Sequence, residues 1–150
     1  MRKTALTAAL IAVTTLAACG DTADKNAYVG EVTKVQQSTN QEATALSDAM
    51  ASAKTPAQVA SKLTALAKSI EANAKKLDAI EAPEEVAADH QKYVDLMNDF
   101  GTDLEALAVK VKKATPTTVP TLLSEASTLT TRLSTGETAI VNKINSELQS

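Results

Sequence analysis

Apolar residues in this chain recur at alternating spacings of four and three, in four runs set apart by polar or proline-bearing breaks. The first run is Tyr28, Val32, Val35, Thr39, Glu42 or Ala43, Leu46, Ala49 and Ala53. The second is Val59, Leu63, Leu66, Ile70, Asn73, Leu77 and Ile80, and the third is Val86, His90, Tyr93, Met97, Phe100, Leu104, Leu107 and Val111. The fourth is Val119, Leu122, Ala126, Leu129, Leu133, Gly136, Ile140, Ile144 and Leu148. A 4-3 alternation keeps side chains on one stripe of an α-helix. The runs therefore predict helices over about 23–53, 56–80, 83–114 and 119–148.

The breaks carry matching signals. Thr55-Pro56-Ala57-Gln58 has a capping threonine, a proline at the first helical position and a glutamine three residues on, the form of a capping box. At Ala82-Pro83-Glu84-Glu85, the residue before proline is pushed out of helical geometry, Pro83 opens the third helix, and the glutamates suit its positive end. Lys110, Lys112 and Lys113 suit the other end of that helix, and the two prolines of 115–120 mark a loop. Glu71 and Lys75 stand one turn apart, a pairing that stabilises a helix by about 0.2–0.5 kcal/mol. Two places predict irregularity. The polar stretch QQSTNQ, 36–41, is a poor helix former and suggests a kink or fray; Ser134-Thr135-Gly136-Glu137 has the form of a second capping box and suggests a break in the fourth helix. Four such stripes joined by short loops give an all-α fold, an up-down-up-down four-helix bundle over 26–150 about 40 Å long.

Ahead of the bundle the pattern changes. Met1-Arg2-Lys3 is basic, and residues 4–18 carry no charge. Fifteen such residues fall short of the roughly 20 that a membrane span needs. A basic start, an apolar middle and small residues before a cut form a secretory signal. Leu16-Ala17-Ala18-Cys19 resembles the lipobox of bacterial lipoproteins: Leu at −3, Ala at −2 and −1, Cys at +1. The resemblance implies that the chain is cut before Cys19 and that Cys19 carries a thioether-linked diacylglycerol. Two acyl chains hold a protein stably at a membrane, where one does so marginally. The expected organisation is a signal peptide over 1–18, a lipidated tether over 19–25 and the bundle, outside the cytoplasm on the membrane that holds the lipid. Cys19 is the only cysteine, so no disulfide can form within the chain.

Cleavage would leave 132 residues, the size of one domain. Loss of Arg2 and Lys3 would take the formal charge from −3 to −5, which argues against a nucleic-acid binder, since those grip their target with clustered Lys and Arg. Aromatics are limited to Tyr28, Tyr93 and Phe100, and the four glycines and four prolines are too few for a turn-rich β fold.

Candidate chemistry is sparse. His90 is the only histidine, and no Glu-x-x-His motif accompanies it, so a di-metal bundle is not indicated. It could pair with Met50 or Met97 around a haem, but covalent attachment would need two cysteines. The simpler expectation is a partly exposed histidine near a loop that titrates near neutral pH. Asn73 interrupts the second stripe as a register-setting polar residue or a ligand contact. Gly101 fits a close helix approach or a kink. A Ser-His-Asp triad would have to use His90, and G-x-S-x-G, phosphate loops and G-x-G-x-x-G are missing. No catalytic, cofactor or metal residue is assigned; Cys19 is the one site residue. The junction Leu77-Asp78-Ala79-Ile80-Glu81-Ala82-Pro83-Glu84-Glu85, followed by His90 and Tyr93, is similar to an L-x-x-I/L-x-x-P-x-E turn in small secreted or lipidated helical proteins of actinobacteria. That resemblance implies a helical bundle in the cell envelope and transfers no active site. The reading is a monomeric, lipid-anchored binding or interaction module, with an envelope protein as possible partner. The alternatives are a carrier of a small apolar ligand in the bundle core, favoured if the Ala-rich core leaves a cavity and ruled against by tight Ala packing, and a structural spacer.

Overall fold

A computed structural model describes residues 21–115 and 117–150, with the side chains of 21–23, 46–51, 119 and 123 outside the description. Cys19 and the segment ahead of it lie outside the described residues. Four helices account for most of the rest: α1 (Asp21–Ala51), α2 (Pro56–Asp78), α3 (Ala87–Lys112) and α4 (Val119–Leu148), with a single 3-10 turn at Glu84–Val86 before α3. No strand occurs among the described residues.

The breaks form as local chemistry dictates, with two refinements. Thr55 caps α2, its Oγ1 accepting from the Gln58 amide at 3.3 Å. The Gln58 side chain reaches one residue further back than a standard capping box and accepts from the Lys54 amide at 2.8 Å. At the second break Pro83 does not open the α-helix itself. A 3-10 turn comes first, closed by the Val86 amide on the Pro83 carbonyl at 3.0 Å. This tighter turn rotates Val86 fully into the core, and α3 starts only afterwards.

Both expected irregularities are overruled. α1 runs unbroken through the polar 36–41 stretch, where Gln36 and Thr39 hydrogen-bond side chains of other helices. α4 runs unbroken past Gly136. Glu137 does not turn back to cap; it accepts from Tyr93 Oη at 2.7 Å and Gln36 Nε2 at 3.2 Å. α1 also begins at Asp21, so residues 21–25, read as tether, are already helical. Glu71 packs its Cγ against Gly101 of α3, where a Cβ would meet it at 3.1 Å. Of the two readings open for Gly101, close helix approach and a kink, the structure supports close approach.

The stripes form the core. Val32, Ile70, Leu77, Val86, Tyr93, Met97, Leu107 and Ile144 are essentially inaccessible to solvent. α2 and α3 share the longest interface, α4 packs on α3, and α1 packs chiefly on α2. Alanines let the backbones approach: Ala67 and Ala74 of α2 have no exposed surface. Each stripe is wider than the 4-3 count, since Ala67, Ala74, Val94, Ala108 and Val141 flank it and are buried too.

Leu66 and Leu104 are buried in the middle of α2 and α3. Leu66→Asp and Leu104→Asp should each destabilise the protein by several kcal/mol, because each puts an unpaired charge in an apolar seam. Chemical denaturation followed by helical circular dichroism measures this; midpoints unchanged in both variants would contradict the packing.

Candidate functional site

Beneath α1 the buried seams carry three polar constellations. Near the start of that helix, Tyr28 Oη lies 3.1 Å from His90 Nδ1, and the two rings meet edge to face with centroids 5.6 Å apart. Two turns further on, Gln36 joins Tyr93 on the Glu137 carboxylate. Beyond that, Asn73 Nδ2 donates to Thr39 Oγ1 and Glu42 Oε2, both at 3.1 Å, while Lys76 Nζ donates to Asn73 Oδ1 at 3.0 Å.

These geometries decide between the alternatives for the singled-out residues. Asn73 is completely buried with three partners, the arrangement of a residue that fixes the register of α1 on α2. His90 is 5% exposed, so the expectation of a partly exposed ring does not hold. Its place on the stripe, close behind the buried Val86, draws it under α1. Burial pushes its pKa below the ordinary value, against the Leu77 carbonyl and the Asp78 carboxylate, which favour the cation. Nε2 is buried and makes no hydrogen bond of normal geometry. Burial likewise raises the Tyr28 hydroxyl to about 12 and raises Tyr93, the latter further through the adjacent Glu137 charge. Met97 is core. The side chain of Met50 lies outside the described residues.

Asp89 escaped the sequence reading. It is only 3% exposed and lies beneath two lysines: Lys143 Nζ at 2.5 Å from Oδ2 and Lys92 Nζ at 2.7 Å from Oδ1. Those two hydrogen bonds lower its pKa to about 2. The available signal was its position three residues after Val86, on the flank of the stripe, but no local pattern announced Lys143 on α4.

None of these sets converges on a cleft with a nucleophile and a base. Among the described residues no group of three His, Cys, Asp or Glu side chains could hold a metal ion. The concave feature with ligand-like lining is elsewhere. An apolar pocket of about 360 Å³ opens where the α1–α2 loop meets the start of α2, the end of α3 and the start of α4. Val59, Leu63, Leu107, Val111, Leu122 and Ala126 form its walls, Ala53, Pro56 and Ala114 its shallower sides, and Lys54 and Thr55 its polar edge. It lies at the other end of α1 from Lys25, whose ammonium bridges Glu85 at 2.8 Å and reaches the Leu148 carbonyl at 3.4 Å. Pockets of this size and lining suit small apolar ligands. No family model matches the sequence, and comparisons with curated proteins and with solved structures also gave no match.

Two pH dependences follow. His90 has a depressed folded pKa, so the unfolded chain binds its proton first; stability is full above the unfolded value of about 6.5 and falls as pH drops below it. Melting temperature measured from about pH 7.5 to about pH 5 should fall in the wild type and fall less in His90→Gln; equal slopes would contradict the buried neutral imidazole. Asp89 is also depressed, so its contribution is complete above the unfolded value of 3.8 and is lost as pH falls towards about 2. Asp89→Asn should lower stability at neutral pH and flatten the acid limb of the same curve between those values.

Proposed function

We propose that this chain is a lipid-anchored, extracytoplasmic lipoprotein that acts as a non-catalytic binding module of the cell envelope. In this reading residues 1–18 are a cleaved signal peptide, Cys19 carries the lipid, and the mature chain is a monomeric up-down-up-down bundle. The observation that carries the anchor is the sequence Leu16-Ala17-Ala18-Cys19, two residues before α1 begins at Asp21. So short a link would hold the start of α1 close to the bilayer. Among the described residues no helix is long and apolar enough to cross a membrane, so a lipid would supply the attachment. The net charge of −5 that cleavage would leave gives no overall electrostatic attraction to anionic lipid.

The pocket supports a small apolar ligand at the end of the bundle over a plain spacer, while tight Ala packing counts against a carrier that holds its ligand in the core. The Ala-rich mid-seams are tight, with Ala67 and Ala74 fully covered, so the room lies at the end of the bundle and not along its axis.

Phase partitioning tests the anchor. Wild-type protein extracted from cells with a cloud-point detergent should enter the detergent phase, and Cys19→Ser should enter the aqueous phase or retain its leader. Identical partitioning of a processed Cys19→Ser protein would refute the lipoprotein reading.

A further inference from the structure

We propose that the apolar pocket takes the tail of a single-chain anionic amphiphile, with the acid headgroup at the lysine-bearing mouth. The inference rests on the binding-module reading and names its ligand class. Three observations support it. First, Val59, Val111, Leu122 and Ala126 are stripe positions that remain only half-buried here, whereas Ile70, Met97 and Leu104 further along the same helices are buried. The protein thus leaves apolar wall wet at one end, the surface that an alkyl chain would cover. Secondly, at about 360 Å³ the pocket is near the lower bound, about 300 Å³, of small-molecule sites, which gives room for one chain and not for a diacyl lipid.

Thirdly, the charged residue of the pocket lining is a lysine, Lys54, in a chain that is acidic overall. Lys54 belongs to the rim, and Lys112 and Lys113 are exposed between the wall residues Val111 and Ala114. Lys110 is engaged by Glu125, so that pair adds no net charge. Thr55 and Pro56 open α2 at the same rim, and the start of a helix favours an anion. The other end of the molecule has the opposite character, since Asp24, Glu31, Glu81, Glu84 and Glu85 surround Lys25. A neutral tail alone would fit the walls; the charge arrangement selects an acid head.

Photolabelling of the full chain in its membranes tests this with a diazirine-bearing dodecanoate as probe. Labelled peptides should contain Leu63, Val111 or Leu122, and unlabelled dodecanoate should compete the label away. Competition should strengthen by about fourfold per added methylene and level off once the pocket is full. Dodecanol should compete about two- to fivefold less well than dodecanoate, the scale of a solvent-exposed charge interaction. A lysophosphatidate with the same tail should compete as well as the acid if the natural source is a phospholipid, and less well if it is a free fatty acid; either result keeps the acid head. Ala126→Phe should fill the pocket and abolish labelling. Because that change could disturb packing, the surface variant Lys54→Glu/Lys112→Glu supplies a second arm, weakening competition by dodecanoate and not by dodecanol. Label spread over peptides away from the pocket, equal competition by dodecanol, or undiminished labelling of a folded Ala126→Phe protein would overturn the proposal. Pocket labelling of a processed Cys19→Ser protein that still enters the detergent phase would refute the anchor and leave the ligand proposal standing.

Discussion

The seam beneath α1 must satisfy polar atoms away from water, and much else in the molecule depends on how it does so. Burying a hydroxyl or amide without a partner costs about 1–3 kcal/mol, whereas a made hydrogen bond gains only about 1 kcal/mol. Such groups therefore specify position more than they add stability. Tyr28 can meet His90, Gln36 can meet Glu137, and Asn73 can meet Thr39 and Glu42 in one register of α1. A slip by one turn would keep much of the apolar contact and strand every one of these atoms. Among its described side chains, the buried apolar ones of α1 are Tyr28, Val29, Val32 and Val35, in its first half. Its polar middle supplies the specificity that its apolar surface lacks.

α2 and α3 are the complement to this. Their shared face is apolar and closely approached, with Ala67 opposite Gly101 and Ile70 beside it. Contact of this kind provides the driving force through area removed from water and is tolerant of detail. The bundle thus separates two roles: a well-packed α2–α3 pair that holds the fold together, and polar seams that place α1. The Asp89 site does similar work for α4, drawing Lys143 across to α3.

The same division bears on function. Chemistry needs titratable groups that are both perturbed and reachable. Here the buried perturbed groups His90, Tyr28, Tyr93 and Asp89 are committed to helix placement, while the apolar pocket carries one titratable side chain, Lys54, at its edge. In the proposed reading the apolar pocket is the recognition surface, and an anchor close to the start of α1 would leave it free at the far end of the bundle.

The sequence by itself determined the number of helices, their stripes and the Thr55 cap, because each depends on spacing and on neighbours within a turn or two; for Gly101 it left close approach and a kink open, and Ala67, Ile70 and Glu71 of α2 decide between them. It determined also the resemblance at Leu16–Cys19, which is a property of adjacent residues. What it misjudged were the polar interruptions. Read locally, 36–41 is a weak helix and Ser134–Glu137 a helix start; both remain mid-helix because Tyr93, Gln36 and Glu137, far apart in the chain, share hydrogen bonds. The burial of His90 and the Asp89–Lys143 pair likewise depend on partners at separations of 62 and 54 residues, which no periodicity encodes. The pocket was decided by tertiary structure alone, since a void is the mismatch left where four element ends converge, and no single segment carries its shape.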